Sequence, residues 1–293
     1  MSGPAVWHGL NQAELDVQYN SRGTVEDVSV YLNQYSERTQ QAKSSQPCVA
    51  DLAYGPHADD RLDIYLPRHA GAPVLVFLHG GDWQMLSKDD AGFAAPVFVE
   101  AGALFVALDF SRVPSVTVPE MGAQVKRALM WLFSNLATYG GDPRRIHIAG
   151  HSSGANLVGQ LLMVDWSLED GMPGDLIKSA VFMSGLGDLE PVRLSFRNEK
   201  LVLTPEDVTR VSLLRRGALA HCPMVVAVGA NETGDYLRQS RDVATWWESR
   251  GAPCQLFELE GRHHFDTVLH WAEQPSDLFK AQCELMDLGR VDP

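Results

Sequence analysis

The chain has 293 residues, of which 45% are hydrophobic, and its formal net charge is −13. The length suits a single α/β domain spanning residues 1–293, and the apolar fraction is sufficient for a substantial core. The acidic excess argues against nucleic acid and against anionic membrane surfaces as partners, because there is no basic surplus to neutralise phosphate groups.

Nothing in the sequence predicts a targeting segment, a membrane span or a bound cofactor. Residues 1–12 contain no Lys or Arg, and apolar runs such as Val74–Leu78 are far too short to cross a bilayer. No His-Glu-x-x-His, paired-cysteine, Gly-x-Gly-x-x-Gly or phosphate-loop pattern occurs, so we expect neither a metal nor a nucleotide cofactor. We expect a small-molecule substrate as the partner, and the sequence leaves a homodimer open.

The chain has four cysteines, which are Cys48, Cys222, Cys254 and Cys283. They form no closely spaced pair, which favours free thiols in a reducing compartment, with one disulfide as the open alternative. We therefore predict a cytoplasmic protein.

The predicted elements begin with a polar, helical segment over residues 9–45, which either caps a site or packs on the outside. Ala50–Tyr54 and Arg61–Leu66 then alternate apolar and polar residues, as half-buried antiparallel strands do. Continuous apolar runs follow, and these are typical of strands buried on both faces of a parallel sheet. The runs are Val74–Leu78, Leu104–Leu108, Ile146–Ala149, Ala180–Met183 and Val225–Val228, and Gln255–Leu259 closes the series.

Helical patterns separate these strands, notably over Gln124–Leu136, Ala155–Val164 and Tyr236–Ser249. Alternating strands and helices predict an α/β fold with a mostly parallel central sheet and helices on both faces. Residues 186–222 interrupt this rhythm and include Thr204-Pro205-Glu206-Asp207, a helix-start signature. We expect them to form an insertion over the carboxyl end of the sheet, above the active site.

The pentapeptide Gly150-His151-Ser152-Ser153-Gly154 lies between a predicted strand and a predicted helix. Gly-x-Ser-x-Gly in that context is the nucleophile elbow of α/β-hydrolases, which presents the serine hydroxyl at the start of a helix. The turn is so tight that side chains two positions before and after Ser152 would collide with neighbouring backbone. The sequence therefore predicts Ser152 as a catalytic nucleophile.

A second motif, His79-Gly80-Gly81-Asp82-Trp83, follows the strand predicted at Val74–Leu78. Attack on a carbonyl places negative charge on its oxygen, and backbone N–H groups must already point at that oxygen. Glycines allow the backbone to approach closely. We expect the N–H groups of Gly80, Gly81 and Ser153 to form the oxyanion hole.

A serine nucleophile needs a base, and the base needs an orienting carboxylate. In this fold the acid and then the histidine follow the serine along the chain. Glu232 comes four residues after Val228, with Asp235 as the near rival. His263 and His264 both follow the last predicted strand, and spacing alone does not choose between them.

These residues resemble the arylformamidase (kynurenine formamidase) branch of the α/β-hydrolases, close to esterases of the hormone-sensitive-lipase type. The resemblance covers most of the chain and maps the family's catalytic serine, acid and histidine onto Ser152, Glu232 and His264. The segments that carry it, besides the elbow and the glycine motif, are Gln18–Asn20, Ser87–Asp89, Ser184-Gly185, Asp188–Pro191, Leu203–Asp207, Arg238–Ser240 and His264–Asp266.

Three positions depart from the family pattern, which commonly has Tyr at position 82, Ala at 153 and Asp at 232, where this chain has Asp82, Ser153 and Glu232. A carboxylate beside an oxyanion hole opposes the charge that develops there unless it is neutralised or turned away. Asp82 is thus expected either to pair with Arg112 or to bind a cationic or hydroxyl group of the substrate, with capping of a local turn as the alternative.

The resemblance implies hydrolysis of a small N-formyl or N-acyl aryl amide through an acyl-enzyme. A carboxylesterase, or another aryl-amide hydrolase, is the alternative, and a non-catalytic ligand-binding homologue is a third reading. We expect Asp82, Trp83 and His151 to contact the substrate.

Overall fold

The computed structural model describes residues 3–288. Eight strands form a single sheet whose order is β1-β2-β4-β3-β5-β6-β7-β8. The strands are β1 (Cys48–Ala53), β2 (Arg61–Tyr65), β3 (Ala72–Leu78), β4 (Leu104–Leu108), β5 (Gly141–His151), β6 (Ile177–Met183), β7 (Met224–Gly229) and β8 (Cys254–Leu259). β2 is antiparallel to both of its neighbours, and β3 to β8 run parallel.

Alternate residues of each central strand enter two separate hydrophobic cores. In β3, for example, Val74 and Val76 pack into one core, whereas Leu75 and Phe77 pack into the other. The first core holds the helices α4 (Val118–Asn135), α5 (Ser153–Leu162) and α10 (Gly234–Ser249). The second holds α2 (Ser29–Ser45), α3 (Ala95–Glu100), α11 (Thr267–Trp271) and α12 (Asp277–Leu285). Helices therefore cover both faces of the sheet, as the alternating pattern predicts.

The predicted strands are confirmed, including the five apolar runs and the closing strand at Gln255–Leu259. β2 differs from the prediction of a half-buried strand, because Leu62 to Tyr65 are all buried. Asp63 on this strand is fully buried and lies 2.6 Å from Lys43 of α2 and 3.2 Å from Lys88. The polar residue that suggested an exposed face is thus a buried partner of two lysines, and the pair with Lys43 joins α2 to the sheet.

The predicted helical segment at residues 9–45 consists of α1 (Gln12–Gln18), a 3-10 turn and α2. Residues 186–222 form four short helices, which are α6 (Glu190–Leu194), α7 (Asn198–Leu201), α8 (Pro205–Val211) and α9 (Leu213–Arg216). α8 begins at the predicted signature, with Thr204 and Asp207 forming a reciprocal capping box.

The N-terminal segment and the 186–222 segment contact each other. Gln12 donates to the carbonyl of Leu194 at 2.9 Å, and the N–H of Phe196 donates to Asp16 at 2.8 Å.

The four cysteines carry free thiols. Across residues 3–288, no helix has the length and apolar character needed to cross a membrane.

Candidate active site

Ser152 sits at the turn between β5 and α5, in a strained backbone conformation with φ 56° and ψ −121°. The flanking glycines explain how the chain makes this turn. A Cβ on Gly150 would lie 2.5 Å from the carbonyl oxygen of Gly154, and one on Gly154 would lie 2.1 Å from that of Leu78. Both contacts are with backbone, so neither position accepts a side chain. The steric reason for the Gly-x-Ser-x-Gly pattern therefore holds in this chain.

The loops after β7 and β8 bring a carboxylate and an imidazole to the same end of the sheet as Ser152. The N–H of Asn231 donates to the carbonyl of Arg262 at 2.9 Å, which joins the two loops. Glu232 lies three residues after the end of β7, and His264 lies five residues after the end of β8. Both side chains are almost fully buried.

Ser152, His264 and Glu232 form a continuous hydrogen-bonded chain. His264 Nε2 lies 3.0 Å from Ser152 Oγ, and His264 Nδ1 lies 2.7 Å from Glu232 Oε2. The other carboxylate oxygen, Oε1, accepts from Ser184 Oγ at 2.6 Å and from the N–H of Gly229 at 2.8 Å. This geometry is suited to a base that removes the serine proton while its ring is held by a carboxylate.

The two rival residues are engaged elsewhere. Asp235 lies in the first turn of α10, where it accepts from the hydroxyl of Tyr19 and from Arg238 Nε. His263 faces the N-terminal segment, since its ring packs edge-on against Tyr31 with 4.5 Å between centroids. Neither residue lies in the hydrogen-bonded chain that includes Ser152.

His151 lies beneath the catalytic histidine candidate. Its Nε2 donates to the carbonyl of His264 at 2.8 Å, and the two ring centroids are 4.9 Å apart. Burial, together with the nearby His264, lowers the pKa of His151 to about 3. His151 is therefore a neutral ring that fixes the backbone of His264.

The glycine motif passes close to Ser152. A Cβ on Gly80 would lie 3.1 Å from Ser152 Cβ. Gly81 has a φ of 112°, and a Cβ on it would lie 2.0 Å from the carbonyl oxygen of Met85. None of the backbone hydrogen bonds formed in the loops and turns of residues 3–288 uses the N–H of Gly80, Gly81 or Ser153. The proposed oxyanion hole requires such unpartnered donors beside Ser152.

The expected pairing of Asp82 with Arg112 is wrong. Arg112 Nη1 donates to the carbonyl of Leu86 at 2.5 Å, and its guanidinium lies 3.4 Å from both Asp59 and Asp109. Asp82 Oδ1 instead lies 2.5 Å from Nη1 of Arg197, which comes from the 186–222 segment. That segment places a buried cation next to Asp82, whereas Arg112 is already surrounded by two other carboxylates.

Trp83 does not contact a substrate site either. Its side chain is buried, with 1% exposed, and packs into the core that also holds α4 and α5. The positive φ of 59° at both Asp82 and Trp83 turns the chain so that the indole enters the core. Of the three expected substrate-contacting residues, Asp82 and His151 line the cavity described next, and Trp83 does not.

A cavity of about 350 Å³ opens above Ser152. Its walls come from five segments, at residues 19–35, 81–86, 151–152, 196–200 and 264–265. Aromatic and apolar side chains form much of the lining, and they include Tyr19, Tyr35, Phe196, Phe265 and Met85. Of the two alternatives predicted for the N-terminal segment, capping a site and packing on the outside, the structure shows the first, because the segment forms part of the cavity wall.

Sequence reasoning missed two residues of this site. Ser184 donates to Glu232, and its φ of 47° marks a turn that the Ser-Gly dipeptide after β6 signalled only weakly. Arg197 has no local motif, because its partners are distant in sequence. No group of three His, Cys, Asp or Glu side chains within residues 3–288 is placed to hold a metal ion.

Comparison with known proteins places the chain in a family. A family model described as BD-FAE matches residues 62–169. The kynurenine formamidase of Danio rerio is 30% identical over 275 residues, which cover 89% of this chain and 92% of that protein. The chain belongs to the kynurenine formamidase family.

The chain is also similar to esterases. The isoprenylcysteine alpha-carbonyl methylesterase of Arabidopsis thaliana is 23% identical over 74% of this chain and 56% of that protein. A solved structure from Silicibacter sp. TM1040, provisionally described as a thioesterase, is 25% identical with a TM-score of 0.78, covering 91% of this chain and 98% of that one. The protein is therefore a hydrolase of the esterase and amidase type with an α/β-hydrolase fold.

Proposed function

We propose that the protein hydrolyses a small N-formyl aryl amide through a Ser152-His264-Glu232 triad and an acyl-enzyme. The observation that carries this proposal is the hydrogen-bonded chain, with 3.0 Å between Ser152 Oγ and His264 Nε2 and 2.7 Å between His264 Nδ1 and Glu232 Oε2. A hydroxyl is a weak nucleophile until a positioned base removes its proton, and this arrangement supplies that base.

In the first half of the reaction, Ser152 Oγ attacks the formyl carbon while His264 takes its proton. Glu232 stabilises the resulting imidazolium through Nδ1–H. The carbonyl oxygen becomes an oxyanion that accepts from the N–H groups of Gly80, Gly81 and Ser153. The C–N bond then breaks, and His264 Nε2–H gives its proton to the leaving aryl amine.

In the second half, water replaces the amine. His264 removes a proton from this water, which attacks the formyl-serine ester, and the same oxyanion hole holds the charge. Collapse of the intermediate breaks the bond to Ser152 Oγ, and His264 returns the proton to it. The products are an aryl amine and formate, and the enzyme is restored.

The lining of the cavity supports an aryl substrate. Volumes of roughly 300–1,000 Å³ are usual for small-molecule sites, and a cavity of about 350 Å³ holds one ring with short substituents. Phe196 and Phe265 are among the aromatic side chains that line this cavity. A formyl group is the smallest acyl group, which suits the close approach of Gly80 to Ser152. The name of the Danio rerio relative supports N-formylkynurenine as the first compound to try.

Carboxylester hydrolysis is the second candidate. The same groups would act on an ester, with His264 giving its proton to the leaving alcohol, and the methylesterase relative favours this reading. A matched panel of formanilide, acetanilide and phenyl acetate separates the two. The proposal predicts that kcat/KM for formanilide exceeds that for acetanilide by at least about tenfold, a 1.4 kcal/mol difference in transition-state stabilisation. Hydrolysis of phenyl acetate with both anilides untouched would support the esterase instead.

A further inference from the structure

Asp82 presents a carboxylate to the cavity next to the reacting groups. It follows Gly81 in the loop beside Ser152, and its side chain is 33% exposed, with Ser152 and His264 lining the same cavity. Its Oδ1 atom is buried, so the exposed part of the carboxylate is Oδ2. Oδ2 accepts no hydrogen bond from the residues that the structure describes, and Asp82 lines the cavity.

Arg197 also lines the cavity and holds the first oxygen of Asp82. Its guanidinium lies 2.5 Å from Asp82 Oδ1 through Nη1, and Nε donates to the carbonyl of Tyr19 at 2.7 Å. Nη2 lies 3.4 Å from Ser21 Oγ, and the whole residue is only 6% exposed. The pair thus fixes the direction of the Asp82 carboxylate, and only Oδ2 remains to bind another group.

The positive groups around Asp82 do not fully compensate its charge. Burial raises the pKa of Asp82, and this outweighs the lowering by Arg197, His264 and Arg22. A further hydrogen-bond donor or cation at the free oxygen stabilises the charged form of such a partly buried carboxylate. Because the ordinary ligand of the cavity is the substrate, the missing charge is most directly supplied by the substrate.

We propose that Asp82 determines specificity, accepting through Oδ2 from an ammonium group on the aryl substrate. The cavity then favours aryl substrates that bear an ammonium group over neutral substrates of the same shape. The proposal rests on the proposed function only in taking Ser152 as the nucleophile. Arg22 and Lys200 also line the cavity. If their positive charge outweighed that of the Asp82 carboxylate, the cavity would prefer an anionic substrate. The test is therefore whether the protein prefers a cationic or an anionic substrate.

The experiment uses three phenyl acetates that share one scissile ester and differ at the meta position, which carries an ethyl, an aminomethyl or a carboxylate group. Each kcat/KM at pH 7.5 is divided by the rate of hydroxide hydrolysis of the same ester, which removes intrinsic reactivity. We expect the aminomethyl ester to exceed the ethyl ester by about tenfold in the wild-type protein. A wild-type ratio near one, or a preference for the carboxylate ester, overturns the proposal without any variant.

Asp82→Asn keeps the size of the side chain and removes its charge. We expect it to reduce the aminomethyl-to-ethyl ratio by about tenfold. The ratio compares two esters in the same variant, so a general change in rate caused by the substitution cancels. Asp59→Asn is the matched control, because Asp59 lies 3.4 Å from Arg112 and is not among the residues lining the cavity. A ratio that stays unchanged in Asp82→Asn, or falls equally in Asp59→Asn, contradicts the proposal.

The two proposals fail separately in this design. Loss of all three ester activities in Ser152→Ala tests the nucleophile, whereas the ratio in Asp82→Asn tests recognition. A protein that ignores formanilide yet shows the Asp82-dependent preference retains the recognition proposal and loses the formamidase proposal. A protein that cleaves formanilide with no preference among the esters has the opposite outcome.

Discussion

Glu232 Oε2 lies 2.7 Å from His264 Nδ1, and the two residues follow adjacent parallel strands, β7 and β8. The carboxylate is fixed at its other oxygen by Ser184 and by the N–H of Gly229. Because these contacts set both the position and the direction of Oε2, the ring of His264 is oriented toward Ser152 before substrate binds. Most of the geometry that the proposed triad requires is thus present in the free protein.

Replacing the charge of Glu232 should affect the reaction far more than the fold. Glu232→Gln keeps the side-chain length, but it can hold the wrong tautomer of His264, so we expect kcat to fall by about 10²–10⁴. Glu232→Asp should lose about tenfold, since the shorter chain cannot reach both His264 and Ser184. Steady-state kinetics on formanilide measure both effects. Asp235→Asn provides the comparison, because Asp235 bonds Tyr19 rather than His264.

That comparison also has a distinct readout. Asp235→Asn should lower the melting temperature and leave the pH profile of kcat/KM with its wild-type midpoint. A pH profile that shifts in Asp235→Asn but not in Glu232→Gln would mean that Asp235, and not Glu232, orients His264.

The loop at Gly81 should be intolerant of a side chain. Gly81→Ala places a Cβ about 2.0 Å from the carbonyl oxygen of Met85 at φ 112°, so the loop must shift and its N–H donors with it. We expect kcat to fall by about 10²–10³, the usual cost of losing one oxyanion donor. Gly71→Ala is the matched control, because Gly71 also has a positive φ of 78° but has no atom within 4 Å of the added Cβ.

Gly71→Ala should cost about 1 kcal/mol in the free energy of unfolding and leave kcat unchanged. Equal loss of kcat in both variants would mean that backbone strain, not displacement of the oxyanion loop, reduces the rate.

Buried His147 should make the protein acid-sensitive. Burial lowers the pKa of His147 to about 4 from an ordinary value of 6.5. Below pH 6.5 the unfolded chain binds a proton that the folded chain does not, so the free energy of unfolding falls as the pH drops from about 6.5 to about 4. The full effect is up to about 3 kcal/mol. Urea denaturation of His147→Gln at several pH values should show a smaller decline over this window.

The control is His69→Gln, because His69 is exposed. In His69→Gln, the fall in the free energy of unfolding between about pH 6.5 and about pH 4 should match that of the wild-type protein. An identical decline in His147→Gln and the wild-type protein would exclude His147 as its source.

Arg197 and Asp82 should show strong energetic coupling. Arg197→Met leaves the Asp82 carboxylate without its partner and frees Tyr19 O and Ser21 Oγ. We expect a loss of about 2–4 kcal/mol in the free energy of unfolding, less than for a fully buried pair because Asp82 is a third exposed. The double variant Arg197→Met with Asp82→Asn should recover at least about 1 kcal/mol of this loss. Strictly additive losses would mean that the two charges do not interact.

The fold was largely predictable because its information is local. Each buried strand is a short apolar run, and the Gly-x-Ser-x-Gly turn has a steric cause that the glycines themselves reveal. The direction of Trp83 was not predictable, since it depends on two consecutive residues with positive φ. The partner of Asp82 was missed for a related reason, because Arg197 is more than a hundred residues away in sequence and follows no motif.

Ser184 lies between the contacts that a local motif predicts and those that depend on distant residues. The Ser-Gly dipeptide after β6 stood out as part of the family resemblance, yet its contact with Glu232 depends on the spatial order of β6 and β7 in the sheet. Neighbouring strand ends are known only once the sheet order is known. Motifs therefore predicted which residues react, and the topology was needed to find which residues hold them.

The most direct test of the central claim is kcat/KM for N-formylkynurenine, followed by the appearance of the free aryl amine, in the wild-type protein and in Ser152→Ala. Ser134→Ala, which alters an exposed serine on α4, is the control. The account predicts a wild-type rate well above the uncatalysed one, a loss of about 10⁴-fold or more in Ser152→Ala, and no change in Ser134→Ala. Wild-type-like turnover by Ser152→Ala, or no turnover of this substrate by the wild-type protein, would contradict it.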